Sequence, residues 1–173
     1  PYFLLEPSRS QIVPNSEGIV DANVQVTTTI NFGTSPEGVQ NSLKAQKNGV
    51  SANDRILPIG NGNATLVSGT DYSLSAFIKD VNMTNGAVTT ICCRVIGGTL
   101  FRQGYEWNNG NLSTTTYNQG GTRTSVILED YGNGWYRIGF SFEADGTSGS
   151  FEIDIDRRNG SNTTSIETYG WQF

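Results

Sequence analysis

Three carboxylates alternate along one short stretch of this 173-residue chain, Glu152-Ile-Asp-Ile-Asp156, and that spacing could do chemistry. Residues two apart on a β-strand face the same way, so the acids share one face while Phe151, Ile153 and Ile155 take the other. A pair of carboxylates at the right separation can serve as acid and nucleophile on a glycosidic bond. A second set of residues suits binding. Sugar C–H faces lie on aromatic rings, and sugar hydroxyls are held by charged and amide side chains. Trp107 and Tyr105 beside Asn108 and Asn109, Tyr117 in a polar stretch, and Phe77, Lys79 and Arg94 on one sheet face are the candidates. Arg102 and Glu106 are polar partners for a ligand or simply an ion pair. Trp107 precedes the turn Asn108-Asn-Gly110, so its ring is expected to project into solvent. Trp135 is expected to pack, and Trp171 stays open between the two roles.

Composition removes several mechanisms. There is no His, which excludes a His-based triad or general base, and the two thiols alone cannot make a usual zinc site. Cys92 and Cys93 are adjacent in a strand-like run, so they point to opposite faces; one is expected in the core and the other half-exposed. A net charge of −5 without Lys/Arg clusters argues against nucleic acid as partner. No apolar run approaches the roughly 20 residues of a bilayer-spanning helix. The chain starts at Pro1 without Met and ends within an apparent strand, so residues 1–173 are expected to be one module cut from a longer protein.

The elements that must position these groups are strands. With 35% hydrophobic and 16% charged residues and 21 Gly, the composition suits many short strands joined by turns. Residues 131–142 give the clearest pattern, in which Tyr136, Ile138, Phe140 and Phe142 alternate with Arg137, Gly139 and Ser141 after a glycine turn. Residues 151–156 follow a second glycine turn and are expected to pair with them as a hairpin, with Arg137 opposite Asp154 as an ion pair and the acidic face solvated. Residues 72–79 alternate with Tyr72, Leu74, Ala76 and Ile78 inward. Further strands are expected at 2–5, 11–13, 24–30, 91–96, 101–107, 125–128 and 166–173, with Tyr169, Trp171 and Phe173 on one side. Residues 41–48 suit a strand at least as well as a helix, and 117–124 read as a loop. Ten or so such strands make an all-β, two-sheet antiparallel jelly roll or β-sandwich.

Several stretches resemble a known module. Residues 3–17, Phe-Leu-Leu-Glu-Pro-Ser-Arg-Ser-Gln-Ile-Val-Pro-Asn-Ser-Glu, resemble the "LLLEP-R-T-N-L-YSE" opening of a module of bacteriophage fibre and tail proteins, with relatives among carbohydrate-binding modules of bacterial polysaccharide-degrading enzymes. Tyr72-Ser-Leu-Ser-Ala-Phe-Ile-Lys79 is similar to that family's "YT-SVYVK" strand, Gly134-Trp-Tyr-Arg-Ile138 to its "GWYRV" strand, and Tyr169-Gly-Trp-Gln-Phe173 to its "WGAQLE" ending. Gln11 and Ile12 replace the family's Asn and Leu, and Tyr169 its Trp. The resemblance implies a concanavalin-like, non-catalytic jelly roll that binds glycans, at a virion surface or extracellularly beside a catalytic domain. Partners would then be a polysaccharide or cell-surface glycan and the neighbouring domains of the parent chain. A structural Ca²⁺ held by acids such as Glu6, Glu17 and Asp21 is also in keeping with such modules.

Two alternatives stand beside a binding module. One is a structural or decoration domain without a ligand. The other is a small glycoside hydrolase, because Glu152-Ile-Asp-Ile-Asp156 resembles the Glu-x-Asp-x-Glu strand of retaining β-glucanases, with Glu152 and Asp156 expected at a spacing near that of a retaining pair. The terminal acid here is Asp where those enzymes have Glu.

Overall fold

The alternation over 135–143 is realised as a strand whose Tyr136, Ile138, Phe140 and Phe142 are buried together. The computed structural model describes residues 21–22, 26–49, 54–57, 63–158 and 163–173. In chain order the strands are β1 (Asp21–Ala22), β2 (Val26–Thr29), β3 (Leu43–Lys47), β4 (Arg55–Leu57), β5 (Ala64–Thr65), β6 (Asp71–Asp80) and β7 (Val88–Val95). They continue as β8 (Leu100–Asn108), β9 (Asn111–Gln119), β10 (Arg123–Gly132), β11 (Trp135–Glu143), β12 (Ser148–Asp154) and β13 (Ser165–Gln172). Among the described residues no helix is long and apolar enough to cross a membrane.

The strands form two antiparallel sheets packed face to face, a jelly-roll-like β-sandwich. One has the order β1-β4-β12-β7-β8-β9, with β5 also on β12; the other runs β10-β11-β6-β13-β3-β2. We call them the seven-stranded and six-stranded sheets. Between them lies an aromatic core in which Phe142 meets Phe101, Phe140, Tyr72 and Phe173, while Phe151 packs edge-on against Trp171. Two hairpins have two-residue turns with both residues at positive φ. Asn109 (49°) and Gly110 (76°) join β8 to β9, and Asn133 (54°) and Gly134 (80°) join β10 to β11. This mirror-image turn matches the twist of its flanking strands, and Asn-Gly tolerates it best.

Several expectations change. β11 and β12 are not a hairpin: residues 144–147 carry the chain from the six-stranded to the seven-stranded sheet. Arg137 therefore cannot meet Asp154, and pairs with Glu129 of β10 at 3.7 Å. Tyr117 lies in strand β9, because the loop expected over 117–124 is a hairpin whose bend begins only at Gly120. Tyr169, Trp171 and Phe173 do not share one side. Gly170, at φ 60°, sits in a register shift against β6, and this bulge leaves Tyr169 on the outer face while Trp171 and Phe173 fill the core. Both thiols are free and fully buried; Cys93 joins the core, and Cys92 faces outward beneath charged side chains rather than half-exposed. The strand reading of 41–48 holds as β3. The stretches 2–5, 11–13 and 3–17 lie outside the described residues, as do Glu6 and Glu17.

Candidate functional site

The expected stacking pair is inside the protein. Trp107 is 1% exposed, donates through Nε1 to Thr89 Oγ1 at 2.9 Å and meets Tyr136 edge-on. Its alternation with Tyr105 and Phe101 places it in the core, and the turn begins only after Asn108. Tyr105 is 0% exposed and ties the sheets together. Its hydroxyl lies 2.7 Å from the Gly139 carbonyl and 2.9 Å from that of Ile127, and it accepts from the Gly139 N–H at 3.1 Å. Burial pushes this phenol well above its ordinary pKa. Neither ring can reach a sugar.

The outer face of the seven-stranded sheet gathers Arg94, Arg102 and Tyr117 with the alternating acids. Glu152, 3% exposed, accepts from Arg55 at 3.0 Å, from Arg94 at 3.3 Å and from the Cys92 thiol at 3.6 Å. Asp154 accepts from Thr90 at 2.6 Å and pairs with Arg157 at 3.6 Å and Arg102 at 3.7 Å. Asp156 lies beyond the strand and receives the backbone N–H groups of Val88 and Arg158. The acidic face is thus buried and paired, not solvated. Burial raises the Asp154 pKa, and Arg157, Thr90 and Arg102 pull it back. Burial, with Asp154 and Glu152 nearby, pushes Cys92 well up, and Cys93 is pushed up to about 12, so neither is a ready nucleophile. Four residues of extended strand span about 13 Å, against about 5–5.5 Å for a retaining pair, and Asp156 lies past the end of β12 at Asp154, so the two acids do not share a strand face. The spacing expected for that pair is therefore corrected.

Behind this face sits a buried pair that the sequence did not signal. Lys47 Nζ lies 3.2 Å from Asp54 and donates to the Asp156 carbonyl at 3.0 Å. Asp54 also accepts the Asp156 N–H, and burial pushes its carboxyl up to about 6 against the pull of Lys47.

Phe77 and Lys79 lie on the opposite side of the molecule from Arg94, so the expected single face is corrected: β6 belongs to the six-stranded sheet and β7 to the seven-stranded one. The register puts Asp71, Ser73, Ser75, Phe77 and Lys79 beside Glu143, Ser141, Gly139, Arg137 and Trp135 on that outer face. Ser73 and Ser141 hydroxyls are 2.6 Å apart, and Ser125 of β10 donates to Ser141 at 2.9 Å, which makes a row across three strands. Next along the strands, Arg137 donates to Gln172 at 3.1 Å and approaches Ser75 at 3.4 Å. Beyond stands an aromatic wall, in which Tyr131, 47% exposed, meets Phe77 edge-on at 4.8 Å. The small side chains leave the row low and the aromatics high. Gly139 is needed here, since a Cβ would fall 2.8 Å from that of Ser75.

The 31–42 connection closes the far end. Trp135 is buried as expected, but outside the inter-sheet core: its Nε1 donates to the Thr34 carbonyl, and Lys79 lies 5.7 Å over its ring. Tyr169 donates to Glu37 at 2.7 Å and Ser42 to Glu167 at 2.6 Å, anchoring the connection. Trp171 fills the core.

Of the residues singled out from sequence, the structure joins Arg94 with Arg102 and Tyr117 on one face and Phe77 with Lys79 on the other. Asn108 stands exposed at the β8–β9 turn, apart from both. Tyr131, Gln172 and Ser125 carry no signal of this face in the sequence, while Ser73, Ser75, Arg137 and Ser141 form the small, polar half of the alternation over 73–79 and 135–143, where Arg137 is expected only as an ion-pair partner. Among the described residues no group of three or more acids and thiols is arranged to hold a metal ion. Compared with known families and curated proteins, the chain matches none of either.

Proposed function

We propose that the chain is a non-catalytic carbohydrate-binding β-sandwich and that the outer face of the six-stranded sheet receives the glycan. The observation that carries this reading is the wall of exposed Tyr131 against half-buried Phe77, beside the Ser73–Ser141–Ser125 row and the Arg137–Gln172 pair. An aromatic wall takes the C–H face of a sugar, and hydroxyl, amide and guanidinium groups hold its rim. The resemblance of residues 3–17, 72–79, 134–138 and 169–173 to phage fibre and carbohydrate-binding modules supports the same assignment, and with it an extracellular or virion-surface location. Hydrolysis by Glu152 and Asp156 is disfavoured, because Glu152 is enclosed by Arg55, Arg94 and Cys92 and Asp156 binds backbone amides.

A glycan array followed by affinity electrophoresis tests the proposal. Retention should be lost in Tyr131→Ala and Arg137→Gln and kept in Arg94→Gln on the opposite face. Wild-type protein that is retained by no glycan would favour the structural or decoration domain instead.

A further inference from the structure

Resting on that reading, we infer that the ligand is a neutral glycan and not a uronate- or sulfate-bearing one. An anionic glycan calls for converging cations, with Arg forks on its carboxylate or sulfate groups. Among the described residues, the cations gathered on the outer face of the seven-stranded sheet are already bound to its acids, and those of the other sheet lie on the opposite side. Arg94 and Arg102 lie on the outer face of the seven-stranded sheet against Glu152 and Asp154, Lys79 lies on the other sheet, and Arg123 donates to the Arg102 backbone carbonyl at 2.8 Å.

Among the described residues the cations of the proposed face are Lys44, whose Nζ lies 5.2 Å over the Phe32 ring, and Lys79 and Arg137, which have carboxylate partners. Lys79 is 3.9 Å from Glu167, and Arg137 is 3.7 Å from Glu129. At the end of the row away from the aromatics, Asp71 and Glu143 are directly paired across β6 and β11, and both are exposed. Like charges placed opposite each other weaken a sheet, and an incoming anion would add a third. Neutral hydroxyls suit the same surface. Each both donates and accepts, as do the serine hydroxyls, and Glu129, Asp71 and Glu143 offer further acceptors. From Ser73 to Phe77 the face runs about 13 Å by strand rise, so more than one ring of a chain can lie along it.

The test is affinity electrophoresis of the whole chain in gels carrying dextran, galactomannan or xyloglucan, and in parallel gels carrying alginate or heparin, each at low and high salt. The expected result is retardation by at least one neutral polysaccharide, with little change on adding salt, since no unscreened ion pair forms. Tyr131→Ala should weaken it about tenfold or more. Salt-sensitive retention by alginate or heparin, without retention by any neutral polymer, would overturn the charge assignment and leave glycan binding intact. Retention by neither class would instead overturn the binding reading beneath it. Neutral retention that survives Tyr131→Ala but is lost in Arg94→Gln would move the site to the other sheet.

Discussion

Replacing Tyr105 by Phe removes one oxygen from the interior and tests how the two sheets are held. The hydroxyl is the partner of the Gly139 N–H and lies within hydrogen-bond reach of the Gly139 and Ile127 carbonyls, all from a ring with no exposed surface. The ring itself still fills its place in Phe, so no large cavity forms and the loss is almost wholly polar. Leaving a buried partner unsatisfied costs about 1–3 kcal/mol. With an amide and two carbonyls affected, we expect about 2 kcal/mol, or roughly 4–8 °C in Tm for a chain of this size. Thermal and urea unfolding followed by circular dichroism would read it. A Tm within about 1 °C of the wild type would refute the argument, because it would mean that water or the β10–β11 ladder already satisfies those groups.

Trp107→Ala should cost about 3–5 kcal/mol, since a large buried ring and its bond to Thr89 are lost together; urea unfolding would show it. Burial holds Asp54 near 6, above its unfolded value of about 3.9, so the folded state binds the extra proton and the carboxyl's contribution to stability falls as pH rises from about 4 to 6. Asp54→Asn should remove that part of the slope even though the variant leaves Lys47 without its carboxylate, and an unchanged slope in urea titrations from pH 4 to 7 would speak against the assignment. Gly170→Ala should cost about 1–2 kcal/mol, because its φ of 60° is left-handed and the new Cβ would fall 3.0 Å from the Phe77 ring; an unaltered Tm would mean that the bulge relaxes. Glu152→Ala should cost only about 1 kcal/mol, because the arginines it leaves, Arg55 and Arg94, are 24% and 41% exposed and water can take them up; chemical unfolding would read it.

Strand faces were legible where the pattern stayed in phase, and sheet membership was not. The alternation over 72–79 and 135–143 identifies which side chains point inward, and Leu74, Ile78, Ile138 and Phe140 all do. A period of two refers only to the strand that carries it, so it could not reveal that β12 leaves the sheet of β11. At Trp107 two signals conflict: the Asn-Asn-Gly turn after it points to solvent, and its alternation with Tyr105 points to the core, where the ring lies. At Gly170 a single inserted residue resets the phase, and nothing in Tyr-Gly-Trp distinguishes a bulge from regular strand. The proposed face carries little signal in the sequence, because serine and glycine are ordinary on any exposed strand. Its character comes from three strands brought side by side by pairings that the sequence does not state.

The position of β13 bears on how the chain folds. It is a central strand of its sheet, with β6 on one side and β3 on the other, so without it the sheet is two separate pieces, β10-β11-β6 and β3-β2. Its pairing of Thr168 with Leu43 spans most of the chain, and closing so long a loop makes such topologies fold slowly, over milliseconds to seconds. On a ribosome the two pieces would wait as open edges until residues 165–172 had emerged, and only then could one sheet replace them.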